Sequence, residues 1–224
     1  MKVMKQKIVK IPTHALVDSY ISKWHKLDNY VNQEIALNKL FKILLPKNDK
    51  FEDVLLKVTV LNKFYSTKIL DTYSLSTKIV EIKKLDDRLK KGDMSLIDEI
   101  SVIPIGGQKR SFYSFASKYC NHHNEEAFPV FDSFVEKVIM YLIINDRETI
   151  INSNTISNEM KTLLSSKITK SRIQAFLREK YKNFTSVLTD IRHVYKLENV
   201  SYSDFDKFLW LWGKDMFVKQ FKKK

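Results

Sequence analysis

The stretch Phe112–Val135, FYSFASKYCNHHNEEAFPVFDSFV, gathers Lys118, Cys120, His122, His123 and Asp132 within twenty-four residues. Metal binding is the first chemistry to weigh. A helical zinc pair needs i, i+4 spacing, whereas neighbouring histidines point about 100° apart. His14, His25 and His193 are scattered, so no second cluster completes a ligand set and no metal site is expected. A cysteine nucleophile needs a histidine beside it in space, which adjacency in sequence does not supply, and Cys120 reads as a small buried residue. His122 and His123 fall near a helix end, where imidazoles bond the last carbonyls. Asp132 follows the apolar run Phe128-Pro-Val-Phe131 and precedes Ser133, which has capping-box spacing to Glu136. It either assists that cap or places a fixed negative charge in a cleft, at the positive end of a helix.

These side chains need elements to hold them, and the patterning is helical. His14–Lys26, Val31–Leu45, Phe51–Tyr65 and Tyr73–Leu89 each carry apolar residues at three- and four-residue steps. Gly92 can end the last of these and Asp93 can cap a short helix through Ile100. Ile103 to Ser111, IPIGGQKRS, holds the only Gly pair and reads as a tight turn. A helix over about Gln108–Asn121 follows, then a connection over Asn121–Phe131 and an apolar helix over Ser133–Ile144. Residues 145–158 are polar and read as a linker. Two or three shorter helices and a final one over Asp204–Phe221 complete the chain. An all-α fold in one domain is expected, with the chemistry-bearing segment at about 94–145.

Composition narrows the function. Gly and Pro number only four each, too few for a turn-rich sheet protein. Lys plus Arg is 39 against 26 acidic residues, a net charge of +13, which favours polyanion partners, nucleic acid above all. No apolar run reaches the ~20 residues of a membrane span, and the basic N-terminus lacks a signal-peptide core. An intracellular, cytoplasmic monomer with no membrane association is expected. One cysteine rules out an intramolecular disulfide and any four-cysteine iron–sulfur site, and no cofactor is expected.

The order of a helix, a Gly-containing hairpin, a second helix with Lys near its start, and an apolar–Pro–apolar–x–Asp segment resembles the helix-hairpin-helix DNA glycosylase superfamily. The match runs from Ile103 to Leu142, and FASKYCNHHNEEAFPVFD is similar to the 8-oxoguanine-glycosylase-like branch. The resemblance implies two helical lobes flanking a DNA-binding cleft and excision of a flipped-out damaged or modified base from double-stranded DNA. The base would be an oxidised purine or a modified base, phage-type bases included. It maps the conserved acid onto Asp132, which would stabilise the sugar cation and orient the nucleophile. It maps the amine of bifunctional members onto Lys109, with Lys118 as rival. Nine positions apart on one helix, about 900°, the two would face opposite sides. Either lysine can instead be a phosphate contact.

The hairpin departs from the family's apolar–Gly–apolar–Gly pattern. Gly106 and Gly107 still allow close approach to a phosphate, supported by Gln108 and Arg110. His122 and His123 are further candidates for DNA contact. Phe131, Trp210 and Trp212 could stack on the base or fill its gap. A second reading is a non-catalytic DNA-binding protein, with a helix-turn-helix-like segment at 157–182 carrying Arg172 and Gln174.

Overall fold

The computed structural model describes residues 9–105 and 108–218, and the backbone alone for 103–105 and 108–110. The described chain is helical. In order come α1 (His14–Trp24), α2 (Asp28–Asn38), a π-helical segment (Lys39–Leu44), α3 (Phe51–Tyr65), α4 (Thr72–Val80), α5 (Leu85–Lys91) and α6 (Ser95–Ser101). A two-stranded antiparallel ribbon, β1 (Val102–Ile105) and β2 (Gln108–Ser111), leads into α7 (Tyr113–His123) and α8 (Ser133–Asn145). Then follow α9 (Arg147–Ile151), α10 (Asn158–Leu164), α11 (Lys170–Glu179), α12 (Tyr181–Val194) and α13 (Tyr202–Val218).

Several helices start where the sequence supplies a cap. Thr13 accepts from the Leu16 N–H, Asp71 from Ser74, Ser157 from Met160 and Thr169 from Arg172. Gly92 ends α5 at φ +70, and a Cβ there would lie 2.8 Å from the Ala127 Cβ. The expected helix over Tyr73–Leu89 breaks in two at Lys84, whose φ of 54 is left-handed, so that Ile79, Ile82 and Leu85 all reach the core.

The segment after α6 corrects the sequence reading. Gln108–Ser111 is a strand, not the first turn of a helix, and Lys109 pairs with Pro104 across the ribbon. β-branched Val102, Ile103 and Ile105 favour extended backbone, and Pro104 brings no donor that the ladder must satisfy. The Phe112 N–H closes the ribbon onto the Ser101 carbonyl at 2.7 Å. Gly106 and Gly107 lie outside the described residues, as do the side chains of Gln108, Lys109 and Arg110.

Residues 145–158 are also more than a linker. They include α9, bury Ile150 and Ile156, and dock on α12 through Ser157, whose N–H and hydroxyl donate to Asp190 at 3.0 and 2.6 Å.

Two central helices organise the core. α7 packs against α3, α6 and the π-helical segment, while α8 packs against α11 and α13. The crossing of α8 and α13 is close because of Gly213, where a Cβ would lie 2.9 Å from the Phe134 carbonyl oxygen. Phe205, Phe208, Leu209 and Trp212 of α13 are all buried, as their spacing predicts.

Candidate active site

The connection from Phe128 to Asp132 has no regular secondary structure, yet Phe128, Pro129 and Phe131 are buried. Buried backbone needs hydrogen-bond partners. Three distant side chains supply them. Ser117 Oγ accepts from the Phe131 N–H at 3.0 Å, Asp206 Oδ2 accepts from the Val130 N–H at 2.8 Å, and the Tyr181 hydroxyl donates to the Pro129 carbonyl at 2.5 Å. Asp132 is therefore delivered to a defined place at the start of α8.

Its two oxygens do different things. Oδ1 accepts from the Phe134 N–H at 2.8 Å, so Asp132 itself is the N-cap of α8. Oδ2 lies 3.4 Å from Lys118 Nζ. The expected Ser133–Glu136 capping box does not form. Glu136 is buried and turns to α11, where Arg178 binds both its oxygens at 2.6 and 2.7 Å and Gln174 donates at 3.1 Å.

Lys118 is 4% exposed on a helix buried almost all round. Its ammonium donates to Ser114 Oγ at 2.6 Å and sits 5.3 Å from the Tyr65 ring centre. Burial holds its pKa below the ordinary lysine value, and the charges of Asp132 and Asp206 oppose that shift. Lysines are almost never buried without partners, so the position is a constructed one. Lys118 is thus the lysine beside Asp132 among the described side chains, and the opposite-faces argument fails because Lys109 lies on β2 and Lys118 on α7.

Lys118, Asp132 and Asp206 line one side of a pocket of about 320 Å³. Trp24, Tyr30 and Trp210 line it too, packed with ring centres 5.1 to 5.9 Å apart. Of the expected stacking candidates, Trp210 reaches this pocket. Phe131 and Trp212 are buried in the core, Phe131 edge-on to Tyr113 and Phe184.

The histidines diverge, and among the described residues neither ring caps a carbonyl. His122 Nε2 lies 3.0 Å from the Tyr65 hydroxyl on the pocket wall, and burial lowers its pKa to about 4. His123 Nε2 lies 3.3 Å from Asn48 Nδ2, and burial lowers it to about 3. Both rings are neutral near pH 7. Cys120 is fully buried, which raises its pKa and keeps it a thiol. Among the described residues no group of three His, Cys, Asp or Glu side chains is placed to hold a metal ion, and no helix is long and apolar enough to cross a membrane. In the helix-turn-helix-like segment, Gln174 is committed to Glu136 and Arg172 is exposed.

Asp132 stands out in the sequence, whereas Ser117, Tyr181 and Asp206, which hold the connection ahead of it, act across 14 to 76 residues of chain and carry no local signal. The signal for Lys118 was a lone cation inside the otherwise uncharged run Phe112–Cys120.

No solved structure matches the chain. An uncharacterized protein of Haemophilus influenzae is 34% identical over 168 residues, 75% of this chain and 70% of the relative. The family model HI_0787_N, described as an N-terminal domain, matches residues 16–127, from α1 through the start of the connection that precedes Asp132. On these matches, the chain belongs to the HI_0787_N family.

Proposed function

We propose that this protein is a DNA glycosylase that excises a damaged or modified base from double-stranded DNA. The observation that carries the reading is the Lys118–Asp132 pair, 3.4 Å apart on the wall of an aromatic-lined pocket. A volume of about 320 Å³ suits a flat heterocycle, and indole and phenol faces bind any base by stacking. A base inside duplex DNA reaches such a pocket only by leaving the stack. The net charge of +13 supports the phosphate contacts that flipping requires. We assign part of those contacts to Gly106, Gly107, Gln108, Lys109 and Arg110, and the pocket to the cleft between two helical lobes.

In this reading the base stacks against Trp210 and Trp24 and the sugar C1′ faces the Lys118–Asp132 pair. Breaking the N-glycosidic bond sends its electron pair to the base, which takes up a proton from water, and leaves positive charge on the sugar. Asp132 Oδ2 stabilises that charge, and the cap bond to Oδ1 prevents the carboxylate from turning away. Lys118 is the amine that bonds to C1′. Its burial favours the unprotonated, nucleophilic form, and Asp132 is placed to receive the displaced proton.

Incubation with duplexes carrying oxidised, alkylated and phage-type modified bases, read by mass spectrometry of free bases, tests the proposal. Release from at least one duplex is expected. Release from none overturns it.

A further inference from the structure

Asp206 lies on α13, 8% exposed, in the wall of the same pocket. Oδ2 is occupied by the Val130 N–H at 2.8 Å. Oδ1 is buried and has no hydrogen-bond partner among the described residues. Leaving a buried polar atom unpaired costs about 1–3 kcal/mol, so such an atom calls for an explanation. Holding Val130 does not require an acid, because any side-chain acceptor would do. A buried carboxyl oxygen without a partner, on a residue that lines a pocket, is explained by a ligand atom that completes it.

We propose that Asp206 is the specificity-determining residue of the pocket, donating an O–H hydrogen bond as a neutral acid to a carbonyl oxygen or unprotonated ring nitrogen of the bound heterocycle. The substrate class follows from this donor: a base with an acceptor on the edge facing α13. The proposal rests on the glycosylase reading for the identity of its ligand.

The surroundings favour the neutral acid. Burial raises the Asp206 pKa to about 8, and the negative charge of Asp132 at the N-terminus of α8 adds to the effect. Lys118 from α7 and Arg192 from α12 oppose it, as does the Val130 hydrogen bond. Tyr181 of α12 and Tyr65 of α3 also face the carboxyl, and Lys207 neighbours it on α13 and lines the pocket. A proton is therefore present near pH 7 and lost as pH rises through about 8. With it goes the donor, and the ionised acid then repels the acceptor it had bound.

The test compares single-turnover base release by the unaltered protein and by Asp206→Asn and Asp206→Leu between pH 6.5 and about 9. The unaltered protein should lose rate as pH rises through about 8. Asn keeps an oxygen for the Val130 N–H and offers an N–H donor that does not titrate. Its rate should stay within roughly tenfold of the parent and lose the alkaline fall. Leu should lose about 100-fold, because both the acceptor on the base and the Val130 N–H are then left unpaired. An alkaline fall that survives in Asp206→Asn, or an Asn variant as inactive as Leu, overturns the Asp206 assignment while base release by the parent keeps the glycosylase reading intact. Release of no base by the parent from any duplex overturns both.

Discussion

Lys118 Nζ and Asp132 Oδ2 lie 3.4 Å apart, although fourteen residues and a helix break separate them. The pair is held from both sides. Ser114 Oγ accepts a hydrogen bond from the ammonium, and the Phe134 N–H fixes the other oxygen of the carboxylate. Borohydride reduction during turnover should trap a covalent protein–DNA adduct in the parent protein. Lys118→Gln should lose it, by at least about 100-fold. Lys109→Gln should retain it. An adduct that persists in Lys118→Gln and vanishes in Lys109→Gln would return the nucleophile to the ribbon.

That assignment also marks where the sequence stopped being legible. Helix α3 over Phe51–Tyr65 and the apolar stripe of α13 follow from local periodicity, so they could be read directly. A Gly pair after Pro suits a turn between helices as well as a hairpin, so in the sequence the β-ribbon shows only in the β-branched residues ahead of it. Starting the helix at Gln108 instead of Tyr113 moved Lys109 onto it and away from its true position. The start of α8 was legible because capping is a local signal, but in place of the expected Ser133 the cap is Asp132 itself. Its neighbours Asp206 and Tyr181 come from helices 74 and 49 residues further on, and no periodicity encodes such contacts.

Trp210 stands against Trp24 and Tyr30 at the pocket, with centroids 5.9 and 5.1 Å away. Replacing it with Ala should weaken binding of modified duplex by about 1–3 kcal/mol, the worth of one stacked base. Fluorescence anisotropy of a labelled duplex, measured with Asp132→Asn in both backgrounds, checks this without turnover. Affinity unchanged by the substitution would remove Trp210 from the base site.

Glu136 is buried and held by Arg178 and Gln174 of α11, so α11 is tied to the helix that Asp132 caps. Arg178→Ala should cost about 2–3 kcal/mol, below the full value for a broken buried pair because Arg178 is half exposed. Arg178→Lys should recover only part of it, since an ammonium cannot make the paired contact. Urea unfolding curves measure both.

His122 carries a pH dependence of stability. Its pKa falls from 6.5 to about 4 on folding, so the unfolded chain binds the proton first as pH drops. Between pH 6.5 and about 4 the unfolded state holds more protons, and stability contributed by the neutral ring is lost as pH falls, by up to ~3 kcal/mol. Asp206 acts with the opposite sign, because its raised pKa makes the folded state the better proton binder between 3.8 and about 8. The His122 contribution is isolated by difference: His122→Gln should show a shallower loss of stability than the parent over pH 6.5 to 4 in thermal unfolding. Parallel curves would mean that the ring titrates alike in both states.

The central claim is that Asp132 stabilises charge on the sugar, and Asp132→Asn tests it most directly. Asn is as good an N-cap as Asp, so α8 and the fold should be kept and duplex binding with them. The negative charge is lost. Base release from a duplex that the parent cleaves should fall by at least about 100-fold with binding intact. Release at the parent rate by a folded, DNA-binding Asp132→Asn would contradict the account.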